Sequence, residues 1–206
     1  NIAENTEFGN SEIKLLRPPL QDPPPPPPSG KVDIVFVVDN TGSMASIQQE
    51  VKNNLSSFID SIKATGVNDI RLGLVEYTDD EINEFSFTSG KWTSSTTDIE
   101  NGLQQMADSN RGSTENLMTA IEQVSNNYTF RDNESSAQVK NLIFVTNEDA
   151  DDKNEDSDND GINNTDEVKN ILTNNGIVAH GIYNKSISNS NISLFISKNY
   201  ILGRSI

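Results

Sequence analysis

The chain has 206 residues, 33% of them apolar, and its 31 acidic against 15 basic residues leave a formal charge of −16. That length supports one domain with a real core, and not comfortably two. So acidic a surface repels phosphate backbones, which argues against nucleic acid as a partner, and the lack of any cysteine excludes disulfides, thiolate metal sites and cysteine catalysis.

No apolar run approaches the roughly 20 residues needed to span a membrane. The first residue is Asn1 rather than Met, so the chain reads as a mature or excised piece of a longer protein. All eight prolines precede residue 29, six of them in an unbroken run from Pro23 to Pro28. Residues 1–22 read as the tail of a preceding element and 23–30 as a stiff extended spacer. A main domain is expected over 31–206.

From there strands and helices alternate. Val32 to Asp39 is a β-branched, nearly continuous apolar run, as in a strand buried on both faces. Met44, Ile47, Val51, Leu55, Phe58, Ile59 and Ile62 recur at helical spacing, with Gly66 as the stop. Ile70 to Tyr77 reads as a second strand and Glu84 to Thr88 as a short third. Thr97-Asp98-Ile99-Glu100 has the pattern of a capping box opening a helix through Met106. Leu117, Ile121 and Val124 mark another helix and Leu142 to Thr146 a fourth strand. Glu167 to Asn174 is expected as a helix and Ile177 to Tyr183 as a fifth strand. The fold class is therefore α/β, a doubly wound, mostly parallel sheet flanked by helices. In such sheets ligands bind beyond the carboxyl ends of the strands.

The loop after the first strand reads Asp39-Asn40-Thr41-Gly42-Ser43-Met44. A carboxylate and two hydroxyls at alternate positions are oxygen donors suited to a hard cation such as Mg2+ or Mn2+. The same residues also serve in an ordinary helix-capping turn. The stretch from Asp33 to Met44 resembles the opening of the von Willebrand factor type A family, with the likeness extending over about residues 31–185. The resemblance implies a Rossmann-like fold and a metal-ion-dependent adhesion site at Asp39, Thr41 and Ser43. It further implies a hydroxyl from Gly112-Ser113-Thr114-Glu115-Asn116, with Thr114 the best match and Ser113 the alternative. The family's last ligand is an acidic residue after the fourth strand. Here Thr146-Asn147-Glu148-Asp149 puts Asn147 at that position, with Glu148 or Asp149 able to take over. Phe130-Arg131, leading to Asn141 to Thr146, resembles the bacterial branch. After Tyr183 no long amphipathic helix is visible, a departure from the family's usual ending.

Ten of the twenty residues from Glu148 to Glu167 are acidic, and Lys153 is the only cation among them. Within this run Asp156 to Glu167 matches D-x-D-x-D-G-x5-E at every position. Asp156, Asp158 and Asp160 would converge on one Ca2+, with Gly161 permitting the turn. Ile162 would offer its carbonyl, Asn164 would act directly or through water, and Glu167 would close the site with both oxygens. The loop resembles EF-hand-type calcium loops of bacterial extracellular proteins, inserted into the larger domain. Its affinity is expected to suit extracellular calcium.

The expected function is a metal-dependent adhesion module, extracellular or on a bacterial cell surface, whose ion is completed by a partner protein's Asp or Glu. The alternative is a purely structural, calcium-stabilised domain with a degenerate adhesion site. Enzyme function is disfavoured. The single histidine, His180, lies in an apolar strand and reads as structural, and no nucleophile elbow or phosphate-binding glycine loop is present.

Overall fold

The structure, a computed structural model, describes residues 30–78, 81–109, 112, 116–132, 140–147, 150, 164–183 and 204–205. The apolar run that opens the domain forms β1 (Gly30–Asp39), buried from Val32 onward. Its side chains alternate between two cores. Val35 and Val37 face one, and Ile34, Phe36 and Val38 the other. A strand so placed must be central, because an edge or one-faced strand would leave half of these side chains in water.

Among the described residues the sheet has six strands in the order β3-β2-β1-β4-β5-β6. β2 (Val67–Tyr77) and β4 (Lys140–Thr146) flank β1 in parallel. β5 (Val178–Tyr183) is parallel to β4. β3 (Ile82–Glu84) runs antiparallel at one edge. β6 (Arg204–Ser205) closes the other, parallel to β5. α1 (Ala45–Lys63) and α2 (Thr96–Ser109) cover one face, burying Val51, Leu55, Ile59, Ile99, Leu103 and Met106 against Phe36, Leu72, Leu74 and Val145. α3 (Leu117–Asn127) and α4 (Asn164–Asn175) cover the other, with Leu117, Ile121, Val124, Val168 and Leu172 against Val37, Val75, Leu142 and Phe144. Each such side chain contributes about 1.5–3 kcal/mol by leaving water.

The doubly wound, mostly parallel expectation therefore holds. Gly66, at φ 96°, turns the chain out of α1 as expected. Two local expectations do not hold. The third strand is Ile82–Glu84 rather than Glu84 to Thr88; Phe85 and Phe87 pack instead on the α1–α2 core. The cap of α2 lies two residues earlier, where Ser95 Oγ accepts from the Asp98 amide at 3.3 Å. The closing strand that the sequence did not reveal is present as two residues, Arg204 and Ser205, too short for any periodicity to show.

Strand order reverses between β1 and β4. Their carboxyl ends, Asp39 and Thr146, thus stand side by side at the switch point, where open α/β sheets form a crevice.

Candidate functional site

Asp39 ends β1 and is fully buried. Its Oδ1 accepts from the Thr41 amide at 2.8 Å, which folds the next two residues back over the strand. Its Oδ2 accepts from Thr146 Oγ1 at 3.0 Å, which joins the ends of β1 and β4. Met44, fully buried, pins the far side of the loop, and its amide donates to the Thr41 carbonyl.

Thr41 is 2% exposed, and its Oγ1 has no hydrogen-bond partner among the described residues. Ser43 is exposed, and its Oγ accepts from Asn147 Nδ2 at 2.7 Å. Asn147 Oδ1 is buried and also lacks a partner among the described residues. An unpaired buried hydroxyl or amide oxygen costs about 1–3 kcal/mol. Both oxygens keep lone pairs that no described residue uses, and such lone pairs suit a group with positive charge. The structure thus brings together Asp39, Thr41, Ser43 and Asn147. Ser113, Thr114, Glu148 and Asp149 lie outside the described residues, though the N-cap position of α3 falls to Asn116.

Beneath the loop lies a polar network that the sequence did not disclose. Asn40 donates through its amide to the Tyr77 carbonyl and through Nδ2 to Glu76 Oε2, both at 2.9 Å. Gln48, in the first turn of α1, donates to the Asp39 carbonyl at 2.8 Å and to Asn40 Oδ1 at 3.2 Å. Glu76 Oε1 accepts from Asn83 Nδ2 at 3.0 Å. Parallel register sets Val38 opposite Glu76, which explains how residues 36 apart meet. No short motif signals this; the only hint is a charged residue inside the apolar run of β2.

Of the expected calcium ligands, Asp156, Asp158, Asp160 and Ile162 lie outside the described residues, as does Gly161. Asn164 and Glu167 sit in the first turn of α4, the former buried and the latter half-buried.

His180 is half-buried on β5, with Nε2 3.3 Å from Asn141 Oδ1, and burial pushes its pKa down. It lies among the strands rather than at their carboxyl ends, in keeping with a structural role.

A second charged cluster occupies the opposite end of the sheet. Asp33, fully buried, accepts from Arg71 Nε at 3.0 Å and Nη2 at 2.6 Å, and from the Arg131 amide and Nε, each at 2.7 Å. Burial alone would push the Asp33 carboxyl up, but the bonds from Arg71 and Arg131 outweigh it and hold it below its ordinary value. Arg71 also stacks over Trp92 at 4.5 Å. All these groups answer one another, which marks the cluster as a structural staple.

Comparison with known proteins agrees with this architecture. Two solved structures of proximal thread matrix protein 1 from the mussel byssus are similar to the chain. One, described with a zinc-occupied MIDAS motif, gives a TM-score of 0.55 at 22% identity; the other, a second crystal form, gives 0.51 at 20%. Each likeness covers 85% of this chain and 44% of the mussel protein, so the chain spans less than half of that protein's length. At such identity the likeness speaks to the fold alone. No curated protein matches the chain by sequence. The family model of the von Willebrand factor type A domain matches residues 33–199. With that match laid over a parallel sheet whose switch point carries Asp39, Thr41 and Ser43, the chain belongs to the von Willebrand factor type A domain family.

Proposed function

We propose that this domain binds a protein partner through a divalent cation held at the switch point. Domains of this family are typically metal-dependent adhesion or protein-interaction modules. The ion is Mg2+ or Mn2+, and its ligands are Asp39, Thr41 and Ser43, with Thr114 from the loop before α3. Asn147 and Asp149 hold or order its waters. The observation that carries this reading is Thr41 Oγ1, buried and unpaired among the described residues next to the Asp39 carboxylate. The zinc named for the mussel protein supports a divalent ion in general.

Of these ligands Asp39 and Asp149 alone carry charge, and Asp149 acts through water. The bound ion would therefore remain electron-poor and attract a further carboxylate. Partner recognition then consists of an exposed Asp or Glu completing the ion's shell. The loop 156–167 takes a structural Ca2+ through Asp156, Asp158, Asp160, Ile162, Asn164 and Glu167. Placement of Asn164 and Glu167 in the first turn of α4 supports that reading, because such a loop delivers its last ligands from the helix that follows. An extracellular, bacterial surface setting agrees with that loop and with the proline spacer. No helix among the described residues is long and apolar enough to cross a membrane.

One contact favours a second reading. Asn147 Nδ2 donates to Ser43 Oγ at 2.7 Å, occupying a lone pair that an ion would use. If that bond persists, the switch-point site is degenerate and the domain is a calcium-stabilised structural unit. Calorimetric titration of Mg2+ into chelator-treated, Ca2+-saturated protein separates the two. The adhesion reading expects saturable heat that Asp39→Ala abolishes. Heat absent from both proteins would favour the structural reading.

A further inference from the structure

A recess of about 270 Å3 opens between α2 and the strap that follows β3, lined by Phe85, Phe87, Asp98, Asn101 and Gln105. Its walls are fixed. The Phe85 amide donates to the Leu74 carbonyl at 3.0 Å, Thr93 exchanges backbone bonds with Leu72, and Phe87 does so with Gly90. Gly102 supplies the floor, where an added Cβ would lie 3.2 Å from the Phe85 ring. One oxygen of Asp98 accepts from Thr93 Oγ1 at 2.6 Å, and the other has no partner among the described residues. On the α1 side of the same helix the polar groups pair with protein: Glu100 with Ser56, and Gln104 with Lys52 and Asp108. Asn101 and Gln105 are exposed, and their side chains bond to no described residue.

We propose that this recess binds one pyranose ring of a carbohydrate, held by Asp98, Asn101 and Gln105 against Phe85 and Phe87. The chemistry of the lining selects that class. Among the described residues no Lys or Arg lines the recess, so an anion would meet the Asp98 carboxylate uncompensated. An apolar ligand would take three polar side chains out of water and give them nothing in return. Neighbouring sugar hydroxyls both donate and accept. They match a carboxylate, which only accepts, beside two amides, which do both. The C–H side of the ring finds its apolar wall in the two phenylalanines. The volume lies just under the roughly 300 Å3 at which small-molecule sites begin, as suits a single ring. Fixed walls lower the cost of ordering the site on binding. The recess sits beside Leu72 and Leu74, in the middle of β2, whereas the candidate cation site lies at the carboxyl ends of β1 and β4. Sugar binding here is therefore independent of the metal reading.

The test is a titration of 15N-labelled protein in Ca2+ buffer, with and without added Mg2+, followed through the backbone amides by NMR. The probes are the methyl glycosides of glucose, galactose and mannose, and N-acetylglucosamine. At least one should give saturable shifts centred on Ser86, Thr88, Asn101 and Gln105, with the same dissociation constant in both buffers. Asp98→Asn keeps the Thr93 bond through its carbonyl oxygen and turns an NH2 group into the recess, so the sugar loses an acceptor. Its affinity should fall about tenfold, the loss expected for a hydrogen bond to a charged group. Asn101→Ala, at an exposed helical position where alanine is favoured, should weaken binding while leaving the unfolding midpoint near that of the wild type. Unchanged affinity in both variants, or no saturable shift at these amides with any of the four probes, would overturn the proposal. Methylammonium chloride serves as the competing probe. Saturable shifts with it and none with the sugars would assign the recess to a cationic group instead, and equally overturn the proposal.

Discussion

Thr41 poses the sharpest question at the scale of one residue. Its methyl and hydroxyl are both enclosed, yet only the methyl is satisfied among the described residues. Thr41→Val keeps the shape and removes the unpaired oxygen. In metal-free protein it should be neutral or stabilising by about 1 kcal/mol, because a desolvated hydroxyl is no longer left without a partner. In Mg2+ the same variant should lose the ion-dependent rise in unfolding midpoint. Thermal unfolding in chelator and in Mg2+ reads both effects; a variant destabilised in chelator would show that Thr41 Oγ1 has a partner in solution. The oxygen-rich motif at 39, 41 and 43 was legible as a candidate site because it is contiguous and follows a strand whose composition shows its burial. Glu76 was not, because its burial depends on the β1–β2 register, which no local pattern encodes.

At the scale of elements, the Asp33 staple joins β1, β2 and the segment after α3. Arg131 also donates to the Val32 and Asp69 carbonyls, both at 3.1 Å, so one side chain spans two strands. Asp33→Asn would leave Arg71 and Arg131 facing a neutral amide, and should destabilise the fold by about 3 kcal/mol. Since the folded state holds the Asp33 pKa below its ordinary 3.8, the contribution is complete above that value and disappears as pH falls through the lower, folded one. Acid unfolding followed by circular dichroism should show a steeper loss of stability below about pH 4 in the wild type than in Asp33→Asn. A second element contact is steric. A Cβ at Gly102 would lie 2.4 Å from Leu74 Cδ2 and 3.2 Å from Phe85 Cε1, so α2 sits on β2 only because that position is bare. Gly102→Ala should cost about 1–3 kcal/mol, despite alanine's better helix propensity, in chemical denaturation. Helix and central-strand positions were readable from periodicity over ten or more residues. The three-residue β3 and two-residue β6 were not, because edge strands this short are defined by pairing partners rather than by their own composition.

At the scale of the whole molecule, 31 acidic residues repel one another, and ten of them fall in the twenty positions from 148 to 167. That segment leads into α4, whose Val168 and Leu172 complete the core against α3 and β4. A calcium ion gathered at 156–167 would therefore stabilise more than its own loop. It would relieve local repulsion and fix the first turn of α4, where Asn164 is already buried and Glu167 half-buried. Stabilisation by an ion that binds only the folded state grows with the logarithm of its concentration, reaching about 2.7 kcal/mol at a hundred times its dissociation constant. The unfolding midpoint should thus rise continuously with Ca2+ and exceed the rise produced by NaCl at matched ionic strength, since general screening lacks the site's geometry. Glu167→Gln should remove most of the calcium-specific increment and leave the salt-dependent part unchanged, because the amide withdraws one charge and the two-oxygen grip while preserving helix propensity. An equal response of wild type and Glu167→Gln to Ca2+ would show that the ion acts only by diffuse neutralisation of the acidic surface, and position 167 would lose its assigned role.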